Sequence, residues 1–298
     1  MMNIDDIRIN FNSEQLGILN LCIGFIMFGV ALDLSLENFR TLFRQPKALA
    51  VGLLSQIVGV PLLTLLIIFI LRPQPSLALG LVLVSACPGG NVSNYATHLS
   101  RSNTALSVSM TTISTLCAVF ITPFTFAAIS PLVPGTAELR QSISVEPGPM
   151  VLSIAQLILL PLAIAQIFRR LLPRLTAWML APVQRLSMII FFSFIFFALY
   201  SNFQNLVNYL HLIFLLVLAH NFMALGSGYF FARSTGLPLR DIRAISLETG
   251  IHNSGLGLAL IFNFFEGIGG MALIAAWWGV WDLITAFSLA MYWRQRPA

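Results

Sequence analysis

The stretch Cys87-Pro88-Gly89-Gly90-Asn91-Val92-Ser93-Asn94 interrupts an apolar run, residues 76 to 100, of membrane-spanning length. Proline removes a helical donor and clashes with the preceding turn, while paired glycines open left-handed backbone angles, so the segment predicts an unwound helix. Lipid offers no partner to the freed carbonyl and N–H groups, and such a break must be enclosed by protein or line a wet site. Asn91, Ser93, Asn94, Thr97 and His98 supply the polar side chains for one. A second interruption, Glu248-Thr249-Gly250-Ile251-His252-Asn253-Ser254-Gly255, divides the run from 242 to 264. Glu248 is its costliest group. With no Lys or Arg within one helical turn of it, its natural partner is a cation from solution.

The rest of the chain agrees with this reading. Of 298 residues, 57% are hydrophobic and 9% charged, and the mean hydropathy is +0.86, a balance that a soluble domain does not tolerate. Apolar runs near 16–34, 47–71, 76–100, 103–129, 149–168, 185–203, 209–232, 242–264 and 270–293 predict nine transmembrane helices and an all-α membrane fold. The start, Met1-Met2-Asn3-Ile4-Asp5-Asp6, is acidic where a cleavable signal is basic, so the first span is expected to direct insertion. Of the 16 Lys and Arg residues, alternate loops place only Arg8, Arg72 and Arg140 on one side. That bias predicts an external N-terminus and a cytoplasmic C-terminus, in a bacterial inner membrane. The net charge of +5 therefore reads as topology and not as nucleic-acid binding.

Other features are expected to be structural. Cys22, Cys87 and Cys117 lie in apolar stretches without metal-ligand spacing and read as buried free thiols. Trp277, Trp278, Trp281 and Trp293 read as packing and interfacial residues. Residues 169 to 184 are basic and amphipathic, fitting an interfacial helix or a connecting loop equally. His220-Asn221 reads as helix-to-helix bonding.

The two breaks occupy the third of four spans and the fourth of five, so an offset of one span inverts the second relative to the first. This pattern predicts inverted repeats, an architecture of secondary transporters. Ser107 and Thr111 follow one helical turn apart on the next span. Their hydroxyls, with amide, carbonyl and carboxylate oxygens, suit a hard cation such as sodium.

These clusters resemble the bile acid:sodium symporter family, which carries Pro-Gly-Gly-x-x-Ser-Asn in one broken helix and Glu-x-Gly-x-Gln-Asn-Ser-Gly in the other. The resemblance covers essentially the whole chain and includes Phe25-Ile26-Met27-Phe28-Gly29, Gln56, Ser107 and Thr111. It implies a nine-span form of a fold in which two discontinuous helices cross. A single transmembrane domain, 1–298, would then contain a panel (parts of 16–71 and 149–203) and a core (47–129 and 209–293). It further implies a first sodium site from Ser93, Asn94, Ser107, Thr111 and Glu248. A second would use Gln56, Glu248, the carbonyls of Thr249 and Ile251, and residue 252. Here the chain departs from the family, with His252 in place of Gln. Asp282 departs too, standing where some relatives place a histidine beside the substrate; it is expected to pair with His252, to be protonated, or to face cytoplasmic water.

The expected function is sodium-coupled symport of a small organic anion, bile-acid-like or another carboxylate, by alternating access, with one or two sodium ions. Asn91, Asn253 and Asp282 are the expected substrate residues, the anion lying at exposed helix N-termini. A proton-coupled carrier using Glu248, His252 and Asp282 is the alternative. An intramembrane enzyme is a remote one, since no His-Glu-x-x-His motif is present, and the chain is not expected to be an enzyme. Membrane lipid and the anion are the expected partners, with no nucleic acid; oligomeric state has no sequence signal.

Overall fold

A computed structural model describes residues 4–6, 13–33, 46–142, 147–201 and 203–296. Its helices are α1 (Ser13–Asp33), α2 (Pro46–Leu71), α3 (Pro75–Ala86), α4 (Asn91–Leu99), α5 (Thr104–Ile129) and the short α6 (Ala137–Ser142). They continue as α7 (Pro147–Leu171), α8 (Pro173–Ser201), α9 (Phe203–Ser234), α10 (Leu239–Gly250), α11 (Ser254–Phe264) and α12 (Gly269–Arg294). No strand occurs among the described residues. The protein is an all-α integral membrane protein. Five helical segments are long and apolar enough to cross a bilayer by length and composition: Pro46–Leu71, Thr104–Leu132, Pro147–Leu171, His211–Ser234 and Gly269–Arg294.

Both interrupted runs are indeed divided, into α3 and α4 and into α10 and α11. Their apolar halves, α3 and α11, carry no polar face and are enclosed on all sides, every residue from Ser76 to Ala86 and from Ser254 to Phe262 being buried. Close approach makes this enclosure possible. A Cβ added to Gly80 would stand 2.9 Å from the Cα of Met271, so α3 and α12 meet almost backbone to backbone. By contrast α7 turns Leu152, Leu160 and Ile167 outward, as a lipid-facing helix does. The half-helices thus sit inside the bundle, where their open ends can be met by protein.

Several expectations change. Arg169 to Gln184 forms neither a separate interfacial helix nor a loop, because α7 runs to Leu171 and α8 starts at Pro173. Only Cys87 of the three free thiols is buried; Cys22 and Cys117 are half-buried. Trp278 and Trp293 are buried, as the packing reading of that cluster has it. Arg8, Arg40 and Arg44 of the charge pattern lie outside the described residues.

One polar pair joins α1 to α11. Asn20 donates to Oδ1 of Asn263 at 3.0 Å, and Asn263 donates back to Oδ1 of Asn20 at 2.8 Å.

Candidate functional site

The two breaks meet. Cys87 leaves α3 in an extended conformation (φ −74°, ψ 153°), and Ile251 leaves α10 in another (φ −113°, ψ 118°). Gly89 and His252 form an antiparallel bridge, and the Asn253 N–H donates to the Pro88 carbonyl at 2.8 Å. Each interruption therefore satisfies part of the backbone that the other leaves open. The glycines do not serve the purpose expected of them. Neither Gly89 nor Gly90 has a positive φ. What they provide is space, since a Cβ on Gly89 would lie 2.6 Å from Glu248 Oε2, and one on Gly90 would lie 3.2 Å from the His252 carbonyl.

Glu248, on the last turn of α10 before the second break, is completely buried. Three hydroxyls from two other helices converge on it. Ser93 of α4 donates to Oε1 at 2.5 Å, Ser107 of α5 donates to the same oxygen, and Thr111 lies 3.0 and 2.9 Å from Oε1 and Oε2. Ser107 and Thr111 also approach Asn94 Oδ1, at 2.8 and 3.1 Å, and Ser93 approaches the Gly90 carbonyl at 2.6 Å. These seven oxygen–oxygen contacts share only three hydroxyl protons. The cluster has more acceptor oxygens than protons to share among them. All five residues expected to form the first site are thus brought together, from helices α4, α5 and α10.

The second set is gathered less tightly. A π-type turn, Ser55–Gly59, swings Gln56 toward the break, where its Nε2 donates to the Glu248 carbonyl at 3.0 Å. Gln56 Oε1 is buried and has no hydrogen-bond partner. Thr249 donates to Ser55 Oγ at 3.2 Å. Ile251 and His252 are buried, and both ring nitrogens of His252 lack a partner. The His252 ring stands edge-on to Trp278, with centroids 6.0 Å apart; His220 does the same at 4.8 Å.

The residues expected at the substrate divide. Asn91 and Asn253 are half-buried at the N-termini of α4 and α11, whose positive ends both lie at the crossover. Asn253 is committed to capping, its side chain accepting from the Leu256 N–H at 3.0 Å. Asp282 faces neither water nor the imidazole. It is 3% exposed, and its Oδ2 accepts from the backbone N–H of His252 at 3.1 Å. Its Oδ1 accepts from Asn221 Nδ2 at 3.2 Å, and Asn221 also donates to the Gly250 carbonyl at 2.8 Å.

Sequence reasoning placed Asn221 in a helix-to-helix contact but missed that it fastens the second break. It missed Ser114 altogether, whose Oγ accepts from the Gly89 N–H at 3.3 Å. Neither has a local signal, because each becomes useful only through a partner far along the chain. Among the described residues no group of three His, Cys, Asp or Glu could hold a metal. The oxygen-rich set around Glu248 suits a hard cation instead.

Comparison with known proteins agrees with this chemistry. Residues 20–209 match the model of the sodium bile acid symporter family. The chain is 31% identical over 278 residues to the uncharacterized sodium-dependent transporter YocS of Bacillus subtilis (strain 168), covering 93% of this chain and 83% of that protein. It is 30% identical over 279 residues to a probable chloroplastic sodium/metabolite cotransporter of Oryza sativa subsp. japonica, covering 92% of this chain. A second plant protein with that description, from Arabidopsis thaliana, is 32% identical over 246 residues, which is 80% of this chain. The chain spans 63% and 57% of the lengths of these two plant proteins, respectively.

Proposed function

The chain belongs to the sodium bile acid symporter family, and on that premise we propose that it is a nine-span symporter coupling sodium to a small organic anion by alternating access. The observation that carries this is the cage around Glu248: a buried carboxylate with three hydroxyls and an amide oxygen, whose contacts outnumber their protons. Sodium coordinated by Ser93, Asn94, Ser107, Thr111 and Glu248 would supply the missing charge and bind α4, α5 and α10 together. Gln56, Glu248, the Thr249 and Ile251 carbonyls and His252 would form the second set. The anion would lie against Asn91 and Asn253, where two helix N-termini point to one place. Sodium and substrate are coupled because each favours the same arrangement of the crossed breaks.

The charge bias supports an external N-terminus and a cytoplasmic C-terminus in a bacterial inner membrane. The panel, parts of 16–71 and 149–203, would move against the core, 47–129 and 209–293. The reciprocal Asn20–Asn263 amide pair then bridges the moving parts, through α1 and α11. Alternating access requires it to open. A protein carrying Asn20→Cys and Asn263→Cys, with its native cysteines replaced and the pair joined by a short bifunctional thiol reagent, is expected to lose at least about tenfold in uptake while still binding sodium. Unimpaired uptake after complete cross-linking would show that the two helices need not separate.

The direct test is uptake of labelled small carboxylates into proteoliposomes. An inward sodium gradient is expected to drive accumulation above the external concentration. Uptake of every carboxylate that ignores sodium rejects the proposal. The presence of His252 where the family has Gln gives the proton-coupled alternative its one specific support, and that reading requires gradient-driven uptake in sodium-free buffer.

A further inference from the structure

The main chain of the second break has two edges. Ile251 is extended (φ −113°, ψ 118°), and in extended backbone the N–H and C=O of one residue point to one side while those of its neighbours point to the other. One edge holds the Gly250 C=O and the His252 N–H, and both meet side chains. The carbonyl accepts from Asn221 Nδ2 at 2.8 Å, and the N–H donates to Asp282 Oδ2 at 3.1 Å. Asn221 also donates to Asp282 Oδ1 at 3.2 Å, so the pair lines that edge as a neighbouring strand would. The opposite edge faces the first break, to which it is tied by the Gly89–His252 bridge and by the Asn253 N–H on the Pro88 carbonyl.

The Ile251 carbonyl therefore has a fixed direction. The peptide between Ile251 and His252 is trans and planar, so its C=O points away from its N–H. With the N–H held by Asp282, the carbonyl is turned toward the first break, where Gly89 stands against Glu248 and Gln56. Polarisation follows the same path. Both oxygens of Asp282 accept hydrogen bonds, as those of an ionised carboxylate do. A charged acceptor on an amide N–H makes the carbonyl oxygen of that amide a stronger acceptor in turn.

We propose that Asp282 is a positioning residue for the second sodium ion: without being a ligand, it aims and strengthens the Ile251 carbonyl from the far side of the peptide. The proposal rests on the sodium-coupled reading and on its second set of ligands, Gln56, Glu248, the Thr249 and Ile251 carbonyls and His252. Asn221 has the supporting part. It is 0% exposed and holds the carboxylate and the Gly250 carbonyl together, so neither peptide flanking Ile251 is free to turn. The negative charge of Asp282, one peptide removed from the ion, adds to the charge that Glu248 supplies directly. A residue thirty positions beyond the break thus sets how tightly the break holds its ion.

Equilibrium binding of radiolabelled sodium to the purified full-length protein in detergent tests this, with the melting temperature in saturating sodium as a second readout. Asp282→Asn keeps the shape and an acceptor oxygen for the His252 N–H but removes the charge. It is expected still to bind two ions at saturation, as the wild type does, with the half-saturation of the weaker ion raised about tenfold, the ratio between hydrogen bonds to charged and to neutral groups. Its melting temperature in saturating sodium is expected to stay at the wild-type value. A half-saturation within about twofold of the wild type overturns the proposal, and a lowered melting temperature with that unchanged affinity assigns Asp282 a structural role only. One ion at saturation in Asp282→Asn makes the carboxylate itself a ligand and also overturns it. One ion in the wild type overturns it and leaves sodium coupling intact, whereas no bound sodium overturns the functional reading. If Asp282→Asn does not fold, Asn221→Ala decides: it keeps the charge but loosens the carboxylate, and is expected to raise the same half-saturation about threefold, the worth of one neutral hydrogen bond. Unchanged sodium binding in Asn221→Ala then overturns the proposal.

Discussion

Replacement of Glu248 by glutamine is expected to abolish sodium-driven uptake. Glutamine preserves the shape of the side chain and one acceptor oxygen, so the packing around α10 survives. The charge does not. Ser93, Ser107 and Thr111 would then surround a neutral amide whose N–H groups compete with a cation for the same oxygens. Removing one partner of a buried ion pair costs about 3 to 5 kcal/mol, which corresponds to a loss of about two to four orders of magnitude in sodium affinity. Sodium titration of thermal stability checks this separately from transport, because a ligand that binds the native state raises the apparent melting temperature. The variant is expected to fold and to lose the sodium-dependent rise. If sodium stabilises it within about threefold of the wild-type concentration range, the carboxylate is not the counter-charge and the cage reading fails.

Gly89→Ala is expected to disable the transporter almost as thoroughly, by space alone. The new methyl group would stand 2.6 Å from Glu248 Oε2 and 2.9 Å from Gln56 Nε2, closer than such contacts exist. The backbone is held where Gly89 is bridged to His252 and donates to Ser114 Oγ, so it is the ends of the Glu248 and Gln56 side chains that must give way, out of their places in the site. Overpacking of this kind costs about 1 to 3 kcal/mol, and here it falls on the crossing of the two chains. The expected outcome is a lowered melting temperature and a loss of roughly tenfold or more in uptake. Gly226→Ala is the control, since nothing lies within 4 Å of the added carbon. Equal tolerance of alanine at 89 and 226 would mean that the crossing is loose enough to reshape.

Much of the site was legible because its signals are local. Proline beside two glycines inside an apolar run cannot continue a helix, and a carboxylate inside another cannot be left unmatched, whatever the rest of the chain does. Ser107 and Thr111 were legible by their one-turn spacing. The purpose of the glycines was not, since a sequence shows what backbone angles a residue permits and not what will press against it. Conformational freedom was the natural reading of Gly89-Gly90, and close approach is what the structure uses. The partners of Asp282 were hidden for a similar reason. Its position in the last span suggested water or an imidazole as a partner, whereas it accepts from Asn221 and from a main-chain N–H thirty residues away, freed only because another helix is broken.

The sequence by itself determined that this is a helical membrane protein with two interrupted spans and a carboxylate in need of a cation. Those conclusions depend on the energetic cost of polar groups in lipid, a property of each residue and its immediate neighbours. Only the tertiary structure decided that the two interruptions satisfy one another, that α4, α5 and α10 deliver their oxygens to the same carboxylate, and that Asn221 and Asp282 secure the second break. These are contacts between segments more than a hundred, or several tens of, residues apart. Their geometry is set by how enclosed half-helices pack, which no local pattern encodes.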